Sequence, residues 1–157
     1  NAMSKDKPNT PRISNRKARH EFHILEVVEC GLELFGTEVK SLREGNAMLD
    51  DAFAAIRNGQ AYLVGMTIGP YKQAGPGMQH NQTRDRRLLL HRRQIEALEG
   101  HVRQKGKTLV PLAVYFKHGW AKCEIGVAIG KKQYDKRQDI KKRDATRDIQ
   151  REMRRRR

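Results

Sequence analysis

Positive charge in this chain is concentrated at its two ends, and that decides which residues are free to build a core. The first 20 residues carry a net +5 and the last 28 a net +8. Residues 21–129 between them carry only +2 of the total +15 at pH 7. Charge at the density of the ends repels itself and opposes compaction. The folded body is therefore placed in the middle, in about 110 residues, one ordinary domain. Basic ends on a nearly neutral body suit a polyanion whose phosphates release counterions when Lys and Arg replace them. A mere aid to solubility is the plainer reading of such ends. An anionic membrane surface fits less well, because neither end has a strong apolar face to insert. The longest apolar run, 109–116, has eight residues and contains Pro111, against ~20 for a membrane span. No charged start followed by an apolar stretch suggests a secretory signal. Two cysteines, Cys30 and Cys123, with no CxxC disfavour a disulfide scaffold or a cysteine zinc module, and they point to a reducing, cytoplasmic setting.

Along the chain, Asn1-Ala2 reads as a cloning remnant before a start at Met3. Residues 4–14, with Pro8 and Pro11 and scattered charge, read as disordered. Segments 1–14, 15–130 and 131–157 are thus expected to be a disordered basic N-terminus, a folded β-barrel domain and a basic tail. Residues 22–29 and 32–36 read as two strands joined tightly at Gly31. A short helix over 37–43 is expected from the spacing of Val39 and Leu42, with Gly45 just beyond. Asn58-Gly59 supplies the pair of positive φ angles that a tight hairpin needs. It is flanked by strands at 52–57 and 61–68, the second with Tyr62, Val64, Met66 and Ile68 on one face. Residues 69–87, poor in apolar side chains and holding Gly69-Pro70 and Gly75-Pro76-Gly77, read as a long mobile loop. Ile95, Leu98 and Val102 place a helix within 88–106. Two strands, 108–116 and 120–129, surround Lys117-His118-Gly119. The pattern gives a mainly β fold of about six short antiparallel strands with two or three short helices. A small, partly closed β-barrel of the oligonucleotide-binding type is its simplest architecture.

The tail is a different object. Ala145, Ile149 and Met153 lie four apart, and Lys and Arg fill most other positions. Acid–base pairs such as Asp139 with Arg143 add only ~0.2–0.5 kcal/mol each to an isolated helix. The apolar stripe is too thin to bury against a body. The tail is expected to be disordered alone and helical once RNA neutralises it.

Catalytic chemistry finds little support. The six histidines form no HExxH pair, Asp50-Asp51 is isolated, and neither a GxxxxGK[ST] loop nor a GxGxxG is present. Cys30 has no sequence neighbour to activate it. A non-enzyme without metal or cofactor is expected.

Four motifs then occur in order. They are Asn15-Arg16-Lys17-Ala18-Arg19-His20-Glu21-Phe22, the run 36–45 beginning Gly36-Thr37-Glu38-Val39-Lys40, Arg87-Leu88-Leu89-Leu90-His91, and Gly130-Lys131-Lys132-Gln133-Tyr134-Asp135-Lys136-Arg137. Together they resemble the SsrA-binding protein (small protein B) family over nearly the whole chain. The resemblance implies an oligonucleotide-binding-type barrel that binds the tRNA-like domain of transfer-messenger RNA and delivers it to stalled ribosomes. It implies a tail that enters the empty message channel near the decoding centre and becomes helical there. Alanyl-tRNA synthetase and elongation factor Tu are implied as indirect partners, and the chain is expected to act as a monomer.

Carried over by motif, the RNA contacts are Asn15, Arg16, Lys17, Arg19, His20, Glu29, Glu38, Lys40, Arg43, Leu89 and Lys122, with Gly130, Lys131 and Lys132 at the exit from the barrel. Tyr134, Asp135, Lys136 and Arg137 are implied as decoding-centre contacts, Tyr134 offering a π-face to an unpaired base. Asn46, Met48 and Gln82 depart from the family pattern. The rival readings are a general RNA-binding or ribosomal protein, and an RNA-processing enzyme whose metal or cofactor site the sequence does not display.

Overall fold

Two tight turns organise the sheet. The computed structural model describes residues 10–156. In chain order these form β1 (Ile13–Ser14), α1 (Arg16–Glu21), β2 (Phe22–Leu32), α2 (Gly36–Arg43), β3 (Ala47–Met48), β4 (Phe53–Arg57), β5 (Gln60–Val64), β6 (Thr67–Ile68), β7 (Arg86–Leu89), α3 (Arg92–Val102), β8 (Lys107–Lys117), β9 (Trp120–Gly130) and α4 (Lys131–Arg155). Asn58 and Gly59, at φ 50° and 72°, join β4 to β5; His118 and Gly119, at 52° and 79°, join β8 to β9. Two consecutive positive φ angles match the twist of the strands they connect.

Seven strands pair antiparallel in the order β1-β8-β9-β2-β7-β5-β4, and β3 pairs with β6 separately. At the far end of the sheet β4 comes back against β8. The six longer strands therefore curl towards a barrel, and among the described residues no ladder joins β4 to β8. This is the mainly β, partly closed architecture that the strand pattern predicts.

Strands β8 and β9 read as nearly continuous apolar runs because both of their faces are covered. Towards the barrel interior Leu109, Val114, Cys123, Ile125 and Val127 pack with Leu32, Leu63 and Leu88. On the outside Val110, Leu112 and Ala128 pack under Ala18 of α1, with Phe22 and Ile24 beside them. Gly126 lies in this outer layer, where an added Cβ would stand 3.1 Å from both Ile24 and Leu112.

Several sequence expectations are corrected. Residues 22–32 form one strand with Gly31 inside it, because β9 pairs along its length through Gly31↔Lys122. Ile13–Ser14 pair with Val114 and Ala113, so order begins before residue 15; residues 1–9, expected to be disordered, lie outside the described residues. The second hairpin strand ends at Val64, because Gly65 turns the chain at φ 85°. Its buried face is Ala61 and Leu63, not Tyr62 and Val64. Residues 86–89, read partly as loop and partly as the start of a helix, form β7, and the helix begins only at Arg92. Val102, read on the apolar side of that helix, is 46% exposed.

Candidate nucleic-acid interface

The outer face of β2, β9 and β8 is divided between two tasks. Side chains alternate along a strand, so Lys122, Glu124, Gly126 and Ala128 of β9 share this face. At the Ala128 end it is roofed by α1. Asn15 fixes that roof: its Nδ2 donates to Pro111 O (2.9 Å) and Leu49 O (3.3 Å), and its Oδ1 accepts from Ala18 N (3.1 Å) as the helix N-cap. With Ala18 turned down, Arg16, Lys17, Arg19 and His20 are left exposed. Of these, Lys17 is the one with an ion-pair partner among the described residues, Asp51 at 2.8 Å, whose hydrogen bond and charge raise its pKa.

At the Lys122 end the same face is polar and open. The Tyr115 hydroxyl donates to Glu29, and Lys117 Nζ lies 3.4 Å from the same carboxylate. Tyr115 first, then Lys117 and Lys122, hold the Glu29 carboxyl below its ordinary value, against a partial desolvation that acts the other way. Desolvation and the neighbouring carboxylate push the Tyr115 hydroxyl well up. Arg12 stacks over the Tyr115 ring at 4.7 Å and bridges to Glu124 at 3.1 Å.

Beyond Lys122, Leu89 crosses onto Gly31: an added Cβ there would meet Leu89 Cβ at 3.0 Å. Leu89 is 47% exposed, so it belongs to the surface and not to the core. Glu29, Leu89 and Lys122 thereby line one cleft of about 350 Å³, together with Arg87, His91 and Gln94. Three residues far apart in sequence, each assigned to RNA contact by resemblance, converge on a single concave surface.

Two candidates are removed from the contact surface. Asn15 is buried, with both side-chain polar atoms engaged in holding α1. Glu38 is also buried, and its carboxylate accepts from Arg84, Arg86 Nε (2.5 Å) and Phe35 N (2.8 Å). Burial would raise its pKa, but Arg84, the Phe35 N–H and Arg86 together outweigh burial and lower it. Arg86 also donates to Met66 O and Gln82 O. These bonds tie the long 69–85 loop to α2 and β7. Both residues shape the surface from below.

The remaining cations hold particular positions. Lys40 lies over Tyr71 at 5.3 Å and Arg43 over Phe116 at 4.5 Å, and both residues are exposed. Gly130 ends β9, pairing with Phe22, and Lys131 and Lys132 open α4 in solvent. Tyr134 packs on the His23 ring at 4.0 Å, and Arg137 donates to Lys105 O at 2.6 Å. Asp135 and Lys136 are exposed, and no described residue of α4 is buried. Sequence reasoning missed Arg12, Tyr115 and Lys117. Alternation along 107–117 is the available signal, since it sets Tyr115 and Lys117 on the Lys122 face.

The exposed cations and hydrogen-bonding groups of this surface are equipped to meet a polyanion. Among the described residues no group of three or more His, Cys, Asp or Glu is placed to hold a metal ion, and no helix is long and apolar enough to cross a membrane. Cys30 is buried, its thiol pushed up to about 12 mainly by burial.

Comparisons with known proteins point the same way. The pattern of the SmpB protein family matches residues 12–155. The SsrA-binding protein of Salinispora tropica is 56% identical over 149 residues, covering 95% of this chain and 93% of the relative. That of Acetivibrio thermocellus is 53% identical over 139 residues, covering 88% and 90%. A solved structure described as "tmRNA-SmpB: a journey to the center of the bacterial ribosome" superposes with a TM-score of 0.65 at 45% identity, covering 77% of this chain and 85% of that one. With the four ordered motifs, the curled antiparallel sheet and a match running from Arg12 almost to the C-terminus, the chain belongs to the SmpB protein family.

Proposed function

We propose that this chain binds the tRNA-like domain of transfer-messenger RNA with the outer face of its barrel and carries that RNA to stalled ribosomes. The convergence of Glu29, Leu89 and Lys122 on one cleft, on the strand face flanked by the exposed cations of α1, is the observation that carries the reading. On that face Arg16, Arg19 and His20 meet phosphates. Lys17 does so when it exchanges Asp51 for RNA. Glu29, already ordered by Tyr115 and Lys117, presents a carboxylate to donors on a base edge or sugar. Lys40, Arg43, Gly130, Lys131 and Lys132 extend the contact around the barrel rim.

The tail is the second surface. It carries eight net positive charges, and none of its described helix is buried, which suits an RNA-walled channel better than a protein groove. Asp135 and Lys136 are free to reach the decoding centre as they stand. Tyr134 and Arg137 reach it by releasing His23 and Lys105 O. The helix gains little from packing, so it is folded and held most firmly when the ribosome surrounds it. In this reading the protein is a cytoplasmic, monomeric, non-catalytic adaptor. Alanyl-tRNA synthetase and elongation factor Tu act on the RNA it holds.

The test is a reconstituted tagging assay on stalled ribosomes with the full chain and with a chain ending at Gly130. The shortened chain retains RNA binding and loses tagging. Equal loss of RNA binding and tagging contradicts the separation of the two surfaces.

A further inference from the structure

A second cleft of about 540 Å³ adjoins the one that holds Glu29, Leu89 and Lys122. The two share Gln60, Arg87 and Leu90, so they are two bays of one groove. The second bay runs between the β4–β5 turn and α3, with Leu90 and Ile95 on its apolar side and Asn58, Gln60 and Arg87 as polar groups. Its volume lies in the ~300–1,000 Å³ range of ligand clefts.

Charge decides what this bay can hold. Glu96 and Glu99 also line it, and each is paired: Arg92 with Glu96 at 3.2 Å and Arg103 with Glu99 at 3.1 Å. A bay walled by two paired carboxylates is poor ground for a backbone phosphate. Among the described residues Arg87 is the lining cation without an ion pair, and it stands exposed at the junction with the first bay. An apolar wall, two side-chain amides and one unpaired guanidinium are the equipment for a planar, hydrogen-bonding ring. Unstacked bases in structured RNA are held by such means, by stacking on apolar or guanidinium planes and by hydrogen bonds along their edges.

We infer that the bay between Gln60, Arg87 and Ile95 receives an unpaired nucleobase of the bound RNA. Arg87 stacks on the base or bridges it to the adjoining phosphate, and the Asn58 and Gln60 amides face its edge. This rests on the RNA-binding reading above and adds a base-recognition subsite to it. The site is separate from the phosphate-contacting cations of α1.

The test uses the full chain and the tRNA-like domain of transfer-messenger RNA. Arg87 is exposed, and among the described residues Gln60 has only its backbone pairing within the sheet, so Arg87→Met and Gln60→Ala are expected to keep the fold, checked by unchanged thermal unfolding. The double variant is expected to weaken binding roughly tenfold while lowering the salt slope by no more than about one phosphate's share, the signature of lost base recognition. Glu96→Cys, on the α3 wall of the bay and outside the tight turn, supplies a second readout. Cys30 and Cys123 are buried with raised thiol pKa values, so a photo-crosslinker couples selectively at position 96. The crosslink is expected at one unpaired nucleotide. Binding within twofold of the parent, or a crosslink scattered over paired segments, overturns the subsite. In both cases a Glu29→Ala, Lys122→Ala chain that still loses affinity leaves the RNA-binding reading intact. Failure of the parent chain to bind this RNA overturns both.

Discussion

Glu38 shows how a residue named by motif can serve a site without touching its ligand. Its carboxylate holds Arg84 and Arg86 and caps α2 through Phe35 N, and all of this is out of solvent at Glu38 and Arg86. Removing one partner of a buried pair leaves the other charge uncompensated, which costs about 3–5 kcal/mol. Glu38→Ala is accordingly expected to lower the urea midpoint by that equivalent, with the denaturant slope unchanged. The same residue sets an acid limit. Glu38 and Glu29 both sit below their unfolded value of 4.5, so the folded chain binds fewer protons than the unfolded one near that pH. Their contribution is fully present above about pH 5 and is lost as pH falls through the depressed folded values. Denaturant titrations from about pH 6 down to pH 3 are expected to show stability falling across the lower part of this range. The fall is shallower in Glu38→Gln. None of this is readable in sequence, because Glu38 and Arg86 lie 48 residues apart. Asn15 escapes for a related reason: its motif marks it, but only the fold reveals that Pro111 and Leu49 consume its amide.

The elements differ in how openly the chain announces them. Asn58-Gly59 announces its hairpin directly, and the apolar runs on either side of His118-Gly119 announce β8 and β9, because turn chemistry and strand composition are local properties. The face of β5 is reversed from its sequence reading because one glycine at φ 85° ends the strand after Val64 and cancels the alternation carried across it. Arg86-Arg87-Leu88-Leu89 is too short to show a period, and β7 is a strand only by pairing with β2 and β5. α1 is hidden in the sequence since a six-residue basic segment has one apolar anchor, Ala18, whose cover is nonlocal. Yet α1 carries the exposed cations. Changing Arg16, Lys17 and Arg19 together to Ala is expected to weaken RNA binding and to flatten its salt dependence. Every phosphate left without its cation takes ~0.9 off the log–log slope, less on single strands. The drop is nearer two phosphates than three, because Lys17 already holds Asp51 in the free protein. Titrations across a salt series check this. Helix α4 meets the described body at Tyr134 and Arg137 near its start, and none of its described residues is buried. Ending the chain at Gly130 is therefore expected to leave the melting temperature within about 2 °C of the parent, since little buried surface is lost.

For the molecule entire, the charge profile foretells two basic surfaces on a neutral body, and the fold sets the described cations of the first at one end of a strand face whose other end opens on a cleft that the strand topology alone assembles. The site residues are recognisable as a set through the motifs. Their convergence is not, since Glu29, Leu89 and Lys122 meet only because β2 lies between β7 and β9. Charge alone would draw any RNA to the ends, whereas a shaped cleft discriminates. The deciding measurement is a titration of the purified chain against the tRNA-like domain of transfer-messenger RNA at ~150 mM salt, where exposed charges are screened beyond ~8 Å, with excess tRNA as competitor. Binding that survives the competitor is the expected result. Binding erased by tRNA contradicts specific recognition and leaves a general RNA-binding protein.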